Sequence, residues 1–330
     1  MKSRRIGLGT WAGLLLGLCT GVLAQPAPPI LNKPLKIVVG FPPGGSADTL
    51  ARALAQQLAG AAPSVIVDNK PGAGGRIALE AVKNSEPDGA TLVMTPASMV
   101  AVYPHIYRKL PYDPITDFAP VGRVAAAPFI LAVGPQVPVE IKTLSDFVKW
   151  GKANPALASY GSSGAGSIPH FTGVALGKAA GLDWAHVAYK GAAPAMNDLL
   201  GGQIAANVSV MSNAWPHVQA GKLRALAVSS AQRNPALPWV PTFAEAGVKE
   251  ASAVEWFGLF APARTPLDVV NRWSQALNAA LRSKSFAEAL AKGGFDAVEA
   301  DTPANFAHVL RSDLQRWGQI VKASGFTPED

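Results

Sequence analysis

The chain has 330 residues with 49% hydrophobic and only 15% charged residues, and it carries a formal net charge of +7. Disorder needs the opposite balance, low hydrophobicity with high charge, and 32 glycines with 28 prolines fall short of the roughly 25–30% Gly and Pro of low-complexity chains. The length allows two or three folded domains, each able to bury a core.

In chain order, residues 1–24 read as a secretory signal. Lys2, Arg4 and Arg5 form a basic start, Ile6 to Leu23 is an apolar run, and Ala24 is a small residue before the expected cleavage at Gln25. The run is interrupted by Gly and Thr and is short for a membrane anchor. Leu18 before Cys19 argues against lipidation, and Ser3-Arg4-Arg5 is only a weak trace of a twin-arginine signal. Cleavage would remove three positive charges and the single cysteine, leaving an exported protein without disulfides or thiol chemistry. The remaining basic residues form no cluster with interleaved aromatics, which gives no support to nucleic-acid binding.

After a Pro-rich leader, Leu35–Phe41 is a compact apolar run suited to a buried strand. Leu50, Leu54 and Leu58 then share one helical face over Asp48–Leu58, and Gly60 stops that helix. A strand at Ser64–Val67, a helix at Ile77–Val82 and a strand at Thr91–Thr95 complete a β-α-β-α-β run, the pattern of a parallel sheet with helices on its faces. The alternation restarts with a strand at Phe129–Val133 and a helix from Thr143 to about Ala153, opened by a Thr143-x-x-Asp146 capping box. Strands near Ala158, His186 and Val208 alternate with helices at about Ser167–Ala180 and Ala193–Leu200, and Leu223–Ser229 is a further strand. From Thr242-x-x-Glu245 come a short helix, a strand at Trp256–Phe260 and helices at about Pro266–Arg282, Ser285–Lys292 and Thr302–Ala323. The fold class is therefore α/β with two lobes, residues 33–130 plus 229–330 and residues 131–228. The chain would cross between them near Ala127–Val133 and Leu226–Ser230. Two such lobes leave a cleft at the strand ends.

Two glycine loops stand out. Phe41-Pro-Pro-Gly44-Gly45-Ser46-Ala47-Asp48 joins the first strand to the first helix, where backbone N–H groups and the helix start make an anion site. A plain turn with Asp48 as N-cap is the alternative. Neither GxGxxG nor Gly-Lys-Ser/Thr is present, so the loop is not a nucleotide loop. The second, Tyr160-Gly-Ser162-Ser163-Gly-Ala-Gly166-Ser167-Ile-Pro-His170, ends with Ser167 as N-cap and Pro169 in the first turn. Gly161-x-Ser163-x-Ala165 lacks the second glycine of an esterase elbow, so a serine hydrolase using Ser162 or Ser163 with His170 is the second reading. The five histidines are scattered and no HExxH occurs, so neither metal nor cofactor is expected. Asp113, Asp117 and Asp183 read as turn residues. Arg76, after Pro71-Gly-Ala-Gly-Gly75, either meets a carboxylate at the far end of a ligand or is a solvated arginine. Ser98, Tyr189 in Tyr189-Lys-Gly191, and Trp256 are further candidates for the cleft.

These stretches, with Asn69-Lys-Pro-Gly-Ala-Gly-Gly75, Pro87-Asp-Gly89, Leu110-Pro-Tyr-Asp-Pro114, Gly221-Lys-Leu-Arg-Ala-Leu-Ala227, Pro241-Thr-Phe-Ala-Glu-Ala-Gly247 and Trp256-Phe-Gly-Leu259, run in order along almost the whole chain. Together they resemble the extracytoplasmic solute receptors of the tripartite tricarboxylate transporter system, the Bug receptors. The resemblance implies a monomeric, non-catalytic, two-lobed type II binding protein that closes on a small carboxylated ligand and passes it to two integral membrane subunits. Some relatives serve signalling instead. It also implies that Gly45, Ser46, Ala47 and Asp48 with Ser162, Gly166 and Ser167 hold one carboxylate through amides and hydroxyls. Ile204–Asn213 departs from the acidic family pattern, which with Arg76 suggests a dicarboxylate or an aromatic acid.

Overall fold

A computed structural model describes residues 29–327; the signal-peptide reading lies outside them. β1 (Leu35–Val39), α1 (Ser46–Gln57), β2 (Val65–Asn69), α2 (Arg76–Lys83) and β3 (Thr91–Pro96) form the expected β-α-β-α-β unit. Its strands are parallel, with β1 between β2 and β3. A π-helical turn (Ser98–Val102) and the single turn α3 (Tyr103–Ile106) lead to β4 (Phe118–Val133). Then follow α4 (Leu144–Ala153), β5 (Ser159–Ser162), α5 (Ile168–Ala180), β6 (Ala185–Ala188), α6 (Ala192–Leu200), β7 (Ala206–Val210), α7 (Met211–Gln219) and β8 (Arg224–Val228). The chain ends with β9 (Val254–Pro262), α8 (Leu267–Leu281), α9 (Lys284–Lys292) and α10 (Pro303–Ser324).

Among the described residues the nine strands join in the order β2-β1-β3-β9-β4-β7-β5-β6, with β8 also on β4. β4 gives the sheet its two halves. Phe118 to Pro128 pair antiparallel with β9, and Phe129 to Val133 pair with β7 and β8. The sequence suggested only Phe129–Val133 as strand, and the part the structure adds contains Pro120, Gly122 and Pro128, residue types that ordinarily interrupt a strand. Pro120 instead sits at a register shift and Pro128 at the last β9 pair, positions where a missing N–H is tolerated.

The return path also differs from expectation. Thr242 bridges Val228 in parallel, and Leu237 and Val240 share a cluster with Ile130, Met211 and Leu223. Residues beyond Ser230 thus stay with the second half until β9 begins at Val254. Thr242 and Glu245 make the reciprocal capping bonds (3.1 and 2.8 Å), but a turn follows rather than a helix. α7 escaped the sequence reading because Pro216 lies inside it.

Ser229 ties the crossing together. Its Oγ accepts the Phe129 N–H at 2.7 Å and donates to the carbonyl of Ala253. Both backbone groups are next to the points where the chain changes halves. Ser229→Ala leaves that buried N–H unsatisfied, and a loss of about 1–3 kcal/mol is expected, read as a lower urea midpoint at unchanged slope.

Candidate functional site

The two glycine loops meet where the sheet halves join. Phe41, Gly45, Ser46, Ala47, Pro96, Ser98, Tyr103, Ser163, Ser167, Pro169, Ala192, Ser209, Val210, Asn213, Glu255 and Phe257 line a cavity of about 40 Å³. Six of the ligand-site candidates are among them, Phe41, Gly45, Ser46, Ala47, Ser98 and Ser167, together with Ser163 of the hydrolase reading.

The first loop is braced from behind. Gly45, not Asp48, is the N-cap of α1. The Asp48 carboxylate accepts from the Gly44 N–H, from Arg52 Nε and from Asn69 Nδ2, each at 3.0 Å, and Arg52 also pairs with it at 2.9 Å. Burial alone would raise its pKa, but these partners outweigh burial and hold it below the ordinary range. Asp48 and Gly44 are therefore committed within the loop and do not line the cavity. Their effect is to present Ser46 and Ala47 in the first turn of α1, where N–H groups have no intrahelical acceptor. The Ser46 N–H donates to Asn213 Oδ1 of α7 at 3.0 Å, a bond between the two halves.

The second loop is largely self-satisfied. Ser167 caps α5, accepting from the His170 N–H at 3.4 Å and donating to the Gly164 carbonyl at 2.7 Å. Gly166 has φ +67°, and a Cβ there would lie 1.8 Å from Ile106 Cδ1, so glycine is required. Its N–H donates to His170 Nδ1 at 3.0 Å. Ser162 is fully buried, with Oγ 2.7 Å from His186 Nε2 and 3.0 Å from the Gly164 carbonyl. The Ile168 N–H reaches across to Ser98 Oγ at 3.0 Å, the second bond between halves.

Other candidates lie outside the cavity lining. The Arg76 Nε donates to the Ala73 carbonyl at 2.9 Å and its guanidinium covers Tyr107 at 3.7 Å, which gives the far-carboxylate role no counterpart. Tyr189 donates its hydroxyl to Asp198 at 2.8 Å, and burial with that bond pushes its pKa up to about 12. The Trp256 indole donates to Asp313 at 2.6 Å and sits edge-on against Phe306. The His170 ring stacks on His186 with centroids 3.9 Å apart, behind the second loop, so neither ring is aimed at Ser163.

The sequence reading missed Glu255, Asn213 and Tyr103. Glu255 was visible as the only charge in the apolar run Val254–Pro262, whereas Asn213 depends on α7, which was not foreseen. Ser209, in the segment that departs from the family pattern, is 2% exposed and its Oγ has no hydrogen-bond partner among the described residues. Glu255 is 3% exposed, and burial pushes its carboxyl up to about 8 against the donors Ser98 and Ala97. Among the described residues no cluster of His, Cys, Asp or Glu suits a metal ion, and no helix is long and apolar enough to cross a membrane.

The family model described as the tripartite tricarboxylate transporter family receptor matches residues 47–326. BugT of Bordetella pertussis is 35% identical over 295 residues, covering 89% of this chain and 90% of that protein. The structure of the periplasmic binding protein BugD superposes with a TM-score of 0.84 at 32% identity, over 90% of this chain and 99% of BugD. R. palustris Rpa4515, solved with adipate, gives 0.85 at 31% identity, again over 90% of this chain and 99% of that one. The two-halved α/β fold is that of periplasmic binding proteins.

The stacked histidines make the second loop acid-sensitive. Burial holds His170 at about 4 and, with the repulsion of His170, His186 at about 3. Both are neutral when folded and take up protons near pH 6.5 when unfolded, so stability falls as pH drops from about 6.5 toward 4. Thermal melts across that range should show a declining midpoint, and His186→Gln should flatten the decline.

Proposed function

Because the chain belongs to the tripartite tricarboxylate transporter receptor family, we propose that it is a periplasmic solute receptor which captures a small carboxylate between two lobes and performs no catalysis. The lobes are residues 33–130 with the C-terminal segment, and residues 131–228 with the following loop packed on them. One observation carries the reading. The start of α1, the start of α5 and the unpartnered Ser209 hydroxyl converge on one cavity whose lining, among the described residues, holds neither a cationic side chain nor an acid–base pair. Helix starts and hydroxyls recognise an anion without titratable groups. Such a receptor is exported by the signal at residues 1–24 and works as a monomer, delivering its ligand to two integral membrane subunits.

At finer resolution the sequence favours a dicarboxylate or an aromatic acid. Phe41, Tyr103 and Phe257 in the lining favour the aromatic option. Rpa4515 was solved with the dicarboxylate adipate, but the dicarboxylate option no longer has Arg76 to support it.

A thermal-shift screen of the purified protein against mono-, di- and tricarboxylates and aromatic acids tests the proposal. A ligand at about 100 times its Kd should stabilise the fold by roughly 2.7 kcal/mol, and a shift confined to one class would name the substrate. Ser209→Asp places an anion in the cavity and should weaken that ligand at least tenfold. Wild-type affinity in this variant would show that β7 does not face the ligand.

A further inference from the structure

Capture by the glycine loops leaves one buried group without a role. Glu255, the second residue of β9, lines the cavity and lies opposite Ala127 of β4, one pair before β4 leaves β9. The Ser98 N–H donates to its Oε1 at 3.2 Å, the Ala97 N–H adds a further bond, and Ser98 Oγ lies 2.9 Å from Oε2. Ser98 Oγ accepts from the Ile168 N–H, and its hydrogen is placed to be donated to Glu255 when the carboxyl is ionised. The backbone N–H groups can only donate to Glu255, and with Ser98 as a third donor they would suit an ionised carboxylate.

What the surrounding lacks is a counter-charge. The cavity lining contains no Lys, Arg or His. The start of α5 supplies a partial positive end through Ile168, but Asp313 of α10, held by Trp256, is of the same sign as Glu255 and raises its pKa further. A buried carboxylate without a cation is costly and takes up a proton instead. A second ligand carboxylate beside it would add like charge in a low dielectric, whereas a cationic nitrogen would complete the pair.

We propose that Glu255 is a specificity-determining residue and that the ligand is a small zwitterion, its carboxylate toward the glycine loops and its cationic nitrogen on Glu255. This rests on the carboxylate-receptor reading and replaces the acidic distal group expected from sequence.

Titration calorimetry with matched pairs tests it: L-alanine against propionate, γ-aminobutyrate against butyrate, and L-glutamate against glutarate. The aminated member of at least one pair should bind at least tenfold tighter. With the free carboxyl near 8, pairing ionises it, so binding at pH 7 should release close to one proton per ligand, measured in buffers of different ionisation enthalpy. Affinity should then rise with pH up to about 8. Glu255→Gln should abolish that preference, the two members of the pair then binding with similar affinity. If the variant does not fold, the preference of the wild-type protein within each pair decides. Equal or tighter binding of the unaminated members without proton release overturns the assignment and leaves the receptor reading intact. No binding by any member of the three pairs or by the wider carboxylate panel overturns both.

Discussion

The pairing of β4 with β9 is the constraint from which the cavity follows. Over Phe118–Pro128 the two strands run antiparallel, and at Phe129 β4 leaves β9 and pairs with β7 and β8 instead. One strand is thus shared by both halves of the sheet, and the cavity opens where its partners change. Residues from β3 (Pro96), β7 (Ser209, Val210) and β9 (Glu255, Phe257) reach the lining because each strand pairs with β4 or, for β3, with β9. The loop after β1 arrives from one side and the loop after β5 from the other. Ser229, bonded to Phe129 and Ala253, fixes where the changeover occurs.

Within that frame, polar groups are either tied up or directed inward. Asp48, Gly44, Arg52 and Asn69 satisfy one another behind the first loop, and His170, Gly166, Ser162 and His186 do so behind the second. Ser98 is the exception, because its hydroxyl joins β9 to α5 through two hydrogen bonds. A shift of α5 relative to β9 must break or bend that relay, which couples the position of the second loop to the state of Glu255.

Much of this was legible in the sequence because the local signals agreed. The β-α-β-α-β start, the caps at Thr143 and Ser167 and the two glycine loops each follow from short-range chemistry, and the structure keeps them. The failures share one cause, tertiary context overriding a local breaker. Pro120 and Pro128 concealed the first part of β4, Pro216 concealed α7, and the capping box at Thr242 led to a turn because that segment bridges β8. The site was only half visible for a related reason. Arg76, Tyr189 and Trp256 have the right chemistry near the right loops, but each is turned onto a local partner, Tyr107, Asp198 and Asp313 respectively. Side-chain direction at that level is not encoded in spacing.

The Ser46–Asn213 bond has a consequence for what any visitor to this cavity must offer. The side-chain amide of Asn213 already supplies a neutral carbonyl oxygen to the first-turn N–H of α1, so an arriving acceptor enters by exchange and not by filling an empty socket. An uncharged amide or ester oxygen would replace like with like and gain little. A charged oxygen forms a shorter bond about twice as strong, so the exchange runs forward only for anions. On the proposed carboxylate reading, the Asn213 oxygen is thus the reference that an incoming acceptor has to exceed, and neutral analogues would be refused without any clash to exclude them.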